Sequence, residues 1–299
     1  MTDPSPLVGI AGASLSAEIN PFGAELHSLR DTQGRDLLWN GDPAFWTGRA
    51  PILFPVVGVV AGGVIRVDGR EYPMAKHGFA RRKTWDLVEH DTAAATFRLI
   101  PDDETRAAYP FDFCLDLRFA IDAAGLSLTA TLANPGDVPL PASFGFHPAL
   151  RWPLPGGAPR DQHIVRFADV EPDPIRRIDS DGLLRPASEP SPVEGRDIVV
   201  RDSMFEDDAM IFDSLSSRAL SFGATGGTIL DVAFPSMPLL GIWTKPGAPY
   251  LCIEPWQGIA DPENFAGDFR DKPGVIEVLP GQNHIFAMRI DIGSETFEG

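Results

Sequence analysis

The stretch YLCIEPWQ, Tyr250–Gln257, carries an apolar run into a carboxylate. An ionised carboxylate away from water is costly unless it is paired, hydrogen-bonded or shifted to a higher pKa. Alternation puts Leu251 and Ile253 on one strand face and Tyr250, Cys252 and Glu254 on the other. Both faces are largely apolar, which predicts a central strand buried on two sides, with Pro255 and Trp256 marking its end. Burial moves a carboxyl toward the pKa a general base needs near neutral pH. A buried glutamate paired with an arginine is the competing reading.

Two histidines could answer that carboxylate. In ASFGFHPALRWP, extended backbone over residues 143–147 sends Phe144 and Phe146 to one face and Ser143, Gly145 and His147 to the other. The histidine then stands on a face cleared of bulk, and Pro148 ends the ladder beside it. A structural histidine bonded to a backbone carbonyl explains the same residues without any chemistry. In MAKHGFARR, Gly78 permits a tight bend or close backbone approach after His77. If that segment is extended, His77, Phe79 and Arg81 share a side and offer an apolar plate with two donors, which suits a sugar or a carboxylate. A basic surface turn is the alternative.

Two histidines and a glutamate could ligate a metal, but no HExxH, HxH or CxxC spacing occurs, so no metal site is predicted. Dinucleotide, P-loop and nucleophile-elbow motifs are absent as well.

The elements that must position these groups are strands. CLDLRFAID and LSLTATLAN alternate apolar and polar residues and predict an antiparallel hairpin; IFAMRIDIG repeats the pattern. Asp68-Gly69, between two short runs, is a strong hairpin-turn signal. Helical periodicity is scarce, and 29 glycines and 29 prolines punctuate short runs. This predicts an all-β sandwich or barrel, one domain over 1–299, with long loops at LRWPLPGGAPRDQH and from Glu171 to Pro192. Cys114 and Cys252 sit in apolar runs and read as free, buried thiols.

A formal net charge of −17 over 299 residues argues against nucleic-acid partners and anionic membrane surfaces. No apolar run is long enough to span a bilayer, and MTDPSPLVGIAGAS lacks the features of a secretory signal, so a cytoplasmic location is expected.

Taken together, GAELHSLRD, GRDLLWNGDPAFW, ILFPVVG, KHGFAR, FGFHPAL, LLGIWTKPGAPYLCIEPWQGIAD and GVIEVLPGQ, in order from about Gly23 to about Gln282, resemble the aldose 1-epimerase (galactose mutarotase-like) family, especially its shorter bacterial branch. The resemblance implies a large antiparallel β-supersandwich with a sugar on its concave face. It implies His147 as general acid, Glu254 as general base, His77 as a contact to sugar hydroxyls and Asp208, or its neighbour Asp207, as a sugar ligand. Arg81 matches the branch's own motif. The implied chemistry opens and recloses a hemiacetal with no cofactor or metal, on a small-molecule aldose or aldose phosphate.

Two departures stand out. Val59 follows Gly58 where the branch often carries arginine, which bears on an anionic substituent, and PGQ at Pro280–Gln282 replaces a frequent PGE. Two other classes compete. A glycoside hydrolase would pair Glu254 with Asp208 or Asp261. A non-catalytic sugar-binding module would keep the pair by descent.

Overall fold

The computed structural model describes residues 6–293 and Phe297; the first five residues of the segment read for a leader lie outside the described residues. Among the described residues two large sheets, one of nine strands and one of eight, form the body, and the strand ladders are antiparallel. The predicted hairpin is the pair Cys114–Ile121 and Gly125–Ala133, with Leu115, Leu117, Phe119, Leu126 and Leu128 buried as their alternation requires. Asn283–Ile292 pairs along the outer side of that hairpin. The Asp68-Gly69 turn has positive φ at both positions, the geometry that suits the twist of a two-residue hairpin.

The inner faces of the two sheets meet through aromatic rings. Phe144 of the smaller sheet stacks on Phe286 of the larger at 4.6 Å between centroids, and Phe212 meets Phe167 at 5.3 Å. These side chains belong to one core that runs between the sheets. Among the described residues the α-helix is a single short element, Asp103–Ala108, closed at its start by a capping box from Asp102 and Thr105. The architecture is the all-β sandwich that the alternation predicts.

Two loop expectations need correcting. The segment Glu171–Pro192 contains a hairpin, Ile175–Ile178 with Leu184–Glu189, that extends the smaller sheet. Its alternation is masked because Arg177, a charged residue, takes a buried position. Pro255 does not end its strand: Tyr250–Gln257 continues past it, and Pro255 pairs in register with Leu240. Cys252 is buried as expected, whereas Cys114 is only partly covered.

Candidate active site

The strand Tyr250–Gln257 is buried on both faces, with Leu251 and Ile253 in the inter-sheet core. On one side it pairs with Leu239–Trp243, and on the other with Phe144–Phe146 and Ala149–Arg151 in succession. The register joining Gly145 to Trp256 and Ala149 to Cys252 puts His147 directly across from Glu254. Between those two short strands the ladder is interrupted at His147-Pro148, where Pro148 and Pro255 have no N–H to give and the Ile253 N–H donates to the Pro148 carbonyl at 3.2 Å. The histidine and the glutamate are therefore cross-strand neighbours, with His147 Nε2 at 3.1 Å from Glu254 Oε2.

Both side chains are almost fully buried, yet both line one cleft of about 260 Å³. Burial drives the Glu254 carboxyl well above the usual carboxylate range; Lys76 opposes this, and the charge of Asp208 reinforces it. Burial pushes His147 down to about 3. Both shifts disfavour separated charge, so the pair at rest shares one proton along the 3.1 Å contact. His147 Nδ1 is buried without a protein partner. The imidazole is boxed by rings, with Trp46 tilted over it at 5.1 Å, Trp243 edge-on at 6.2 Å and His77 edge-on at 5.8 Å.

The cleft floor depends on two glycines. The Trp256 indole lies flat between neighbouring strands, and a Cβ at Gly145 would sit 2.8 Å from its Cδ1. On the opposite strand a Cβ at Gly241, the cross-strand neighbour of Glu254, would sit 2.5 Å from the indole's far edge.

His77 reaches the cleft by a turn, not a strand. It has φ +64 and is followed by Gly78 at φ +71, where a Cβ would meet the Phe54 carbonyl oxygen at 2.0 Å. The bend anticipated at this glycine is present, but the shared face of His77, Phe79 and Arg81 is not. Phe79 turns into the core against Phe54, Tyr109 and Phe113, while His77 and Arg81 line the cleft. Trp46, Trp243 and Trp256 supply the apolar plates instead. The Gly58 N–H donates to His77 Nδ1 at 3.1 Å, which leaves Nε2 as the protonated nitrogen. Burial, with the charges of His147 and Lys76, holds His77 well below its usual pKa, so it is a neutral donor. Burial also lowers the Arg81 guanidinium.

Of the two adjacent aspartates, Asp208 lines the cleft, whereas the Asp207 side chain is 68% exposed near Arg185. Asp208 holds φ +65, a left-handed conformation uncommon outside glycine, and its carboxylate accepts from the Ala209 N–H at 2.7 Å. Arg177 fixes this turn: it donates to the Asp208 carbonyl at 2.8 Å and the Met204 carbonyl at 3.0 Å, and meets Glu189 at 3.2 Å.

Asp261 stands behind the wall, not in it. Its carboxylate pairs with Lys272 at 2.7 Å and accepts from the Ala61 N–H at 2.8 Å, and its own N–H donates to the Val59 carbonyl at 2.9 Å. Val59 packs on Gly182 and is not among the cleft-lining residues. Lys76 and the three tryptophans, to which the sequence assigns no binding role, complete the cleft lining, and Arg177 supports it from behind through Asp208. Lys76 opens the KHGFAR motif, in which only His77, Phe79 and Arg81 are singled out, and Arg177 falls in the stretch read as a long loop.

Comparison with known proteins is consistent with this construction. Residues 7–180 match the family described as Aldose 1-epimerase, which is more than half of the chain. The plasmid-encoded protein LacX of Lactococcus lactis subsp. lactis is 29% identical over 276 residues, covering 89% of this chain and 92% of LacX. A galactose mutarotase-like protein from Lactobacillus casei superposes with a TM-score of 0.89 at 25% identity, over 96% of this chain and 100% of its own. A galactose mutarotase related enzyme from Lactobacillus acidophilus gives 0.88 at 26% identity, over 98% and 99%. The sandwich fold is thus shared with these two solved structures along almost their whole length, and this chain belongs to the aldose 1-epimerase family.

Proposed function

We propose that the protein is a mutarotase that interconverts the α and β anomers of an aldose. The observation that carries this reading is the buried His147–Glu254 contact of 3.1 Å at the floor of a cleft lined by indoles and donors. Ring opening needs one group to take the O1 proton and another to give a proton to the ring oxygen. The shared proton moves from Glu254 to His147 along the existing contact as sugar hydroxyls replace water, leaving a carboxylate base and an imidazolium acid. Lys76 favours the carboxylate but, with Arg81, opposes the imidazolium, which the face of Trp46 favours. Glu254 then removes the O1 proton while His147 protonates the ring oxygen. Rotation about C1–C2 and the reverse transfers close the other anomer. His77 donates to a sugar oxygen, Asp208 accepts from a hydroxyl, and Arg81 adds a fixed positive charge.

NMR anomer exchange on freshly dissolved α-glucose, α-galactose and their 6-phosphates tests the proposal. Acceleration over buffer on at least one sugar is expected. Binding without acceleration would make this a sugar-binding module, and release of sugar from an aryl glycoside would make it a hydrolase. Asp261 is a poor second carboxylate for hydrolysis because Lys272 already occupies it.

Two further results are expected. The pair works with one shared proton, and burial raises the Glu254 carboxyl, so that proton is lost as pH rises through the raised value. The kcat/KM profile is therefore expected to fall on its alkaline side and to hold level down into the ordinary carboxylate range; activity that rises through pH 4 and shows no alkaline limb would contradict this. Replacing Arg177 by Ala frees the strained turn at Asp208, so KM is expected to rise about tenfold while kcat changes little, the size of one lost charged hydrogen bond. An equal fall in kcat would place Arg177's effect on the chemistry instead.

A further inference from the structure

The catalytic pair has a third neighbour that the sugar chemistry does not use. Cys252 precedes Glu254 by two residues on the same strand face and lies across from Ala149, next to His147 in the register. One ligand atom each from His147, Cys252 and Glu254 fall within 4.8 Å of one another, and all three residues are buried. The sequence, weighing two histidines with the glutamate, has no means of choosing Cys252. Its thiol is free and lies in an aromatic cluster with Trp39 and Tyr250.

We propose that His147, Cys252 and Glu254 form an inhibitory site for a thiophilic divalent cation such as Zn²⁺, entered from the sugar cleft. Imidazole nitrogen, thiolate sulfur and carboxylate oxygen are the donors zinc takes, at about 2.0–2.3 Å, which sets donor atoms about 3.3–3.8 Å apart in a tetrahedron. The His147–Glu254 pair already stands at 3.1 Å, so closing on a metal requires a movement of about 1 Å, chiefly by the thiol. The fourth position faces the cleft, where water or a sugar hydroxyl completes the shell. Coordination displaces the thiol proton and the proton shared by the pair to solvent. With both proton-transfer groups held by the ion, the sugar finds neither base nor acid. The metal binding stands on the donor geometry alone; the inhibition rests on the anomer-exchange reading.

The test is calorimetric titration of the purified full-length protein with Zn²⁺ at pH 7.5, beside anomer exchange at the same zinc concentrations. The expected result is one tight equivalent, loss of exchange at that stoichiometry, and recovery with a chelator. C252A is expected to bind zinc at least tenfold more weakly and to keep its exchange activity at zinc levels that silence the wild type; C252S serves if the alanine variant melts early. Equal zinc binding by wild type and C252A would assign the ion to surface carboxylates and overturn the proposal, as would no binding at all. Should the wild type show no anomer exchange, the calorimetric arm still decides the metal site.

Discussion

Replacing Glu254 by Gln should slow anomer exchange by about 10²–10⁴-fold, the usual worth of a positioned acid–base group, while sugar binding measured by calorimetry changes little. Glutamine keeps the size and an acceptor oxygen but cannot take a proton. The same substitution should stabilise the protein. Burial gives Glu254 a higher pKa in the folded chain than in the unfolded one. Its contribution to stability is then fully present below the unfolded value and is lost as pH rises through the folded value. At neutral pH and above, the wild type has lost part of that contribution, and the glutamine variant has nothing to lose. Calorimetric melting of both proteins from pH 4 to pH 9 should show the variant gaining on the wild type as pH rises. A constant difference would mean that Glu254 is not held at a raised pKa, and retained activity would remove it from the chemistry.

The second large effect is expected far from any proton transfer. Lys272 is fully buried, Asp261 nearly so, and they meet at 2.7 Å. Burial lowers the Lys272 ammonium's pKa, and Asp261 opposes that shift. Removing one partner of such a pair leaves an uncompensated charge, which costs about 3–5 kcal/mol. Lys272→Met should therefore lower the unfolding free energy extrapolated from urea melts by that amount, moving the midpoint down without a change in slope. Adding Asp261→Asn should recover part of the loss, since the amide oxygen still accepts from Ala61. If the double variant is no more stable than Lys272→Met, the charge argument fails and packing of the lysine stem carries the effect. The pair matters to the site because Asp261 ties residues 59–61, which directly follow the cleft-lining Gly58, to the segment that carries the cleft-lining Ala260.

How much of this could be read from residue order differs by element. The hairpin Cys114–Ile121 with Gly125–Ala133 was legible because its partners are local and one face is wet, so alternation records burial. The types of the central pair were legible too: His147 beside glycine and Glu254 in an apolar strand each carry a cost that asks for a reason. Their meeting was not, since it depends on the register between strands far apart in sequence. Phe79 was misplaced because two successive left-handed residues, His77 and Gly78, reverse the faces that an extended segment would give. Arg177 was hidden for the opposite reason to Glu254: its charge suggests solvent, yet three hydrogen bonds hold it inside. Pro255 looked like a stop because its tolerance depends on the gap in the neighbouring ladder, which no local pattern announces.

The indole of Trp256, lying between Gly145 and Gly241, also constrains how this cleft can change over generations. Neither glycine can acquire a side chain while the indole is there, because a Cβ would stand 2.8 Å or 2.5 Å from it. Once the indole is replaced by something small, the strand at Gly241 can carry a side chain into the floor, whereas a Cβ at Gly145 still stands 3.0 Å from Leu53 Cδ1, which must shift in turn. The three positions thus form one inherited unit: single steps at either glycine are blocked, and the order of change must begin at Trp256. Recutting the pocket for a bulkier sugar would follow that order, whether the route is natural descent or a designed library.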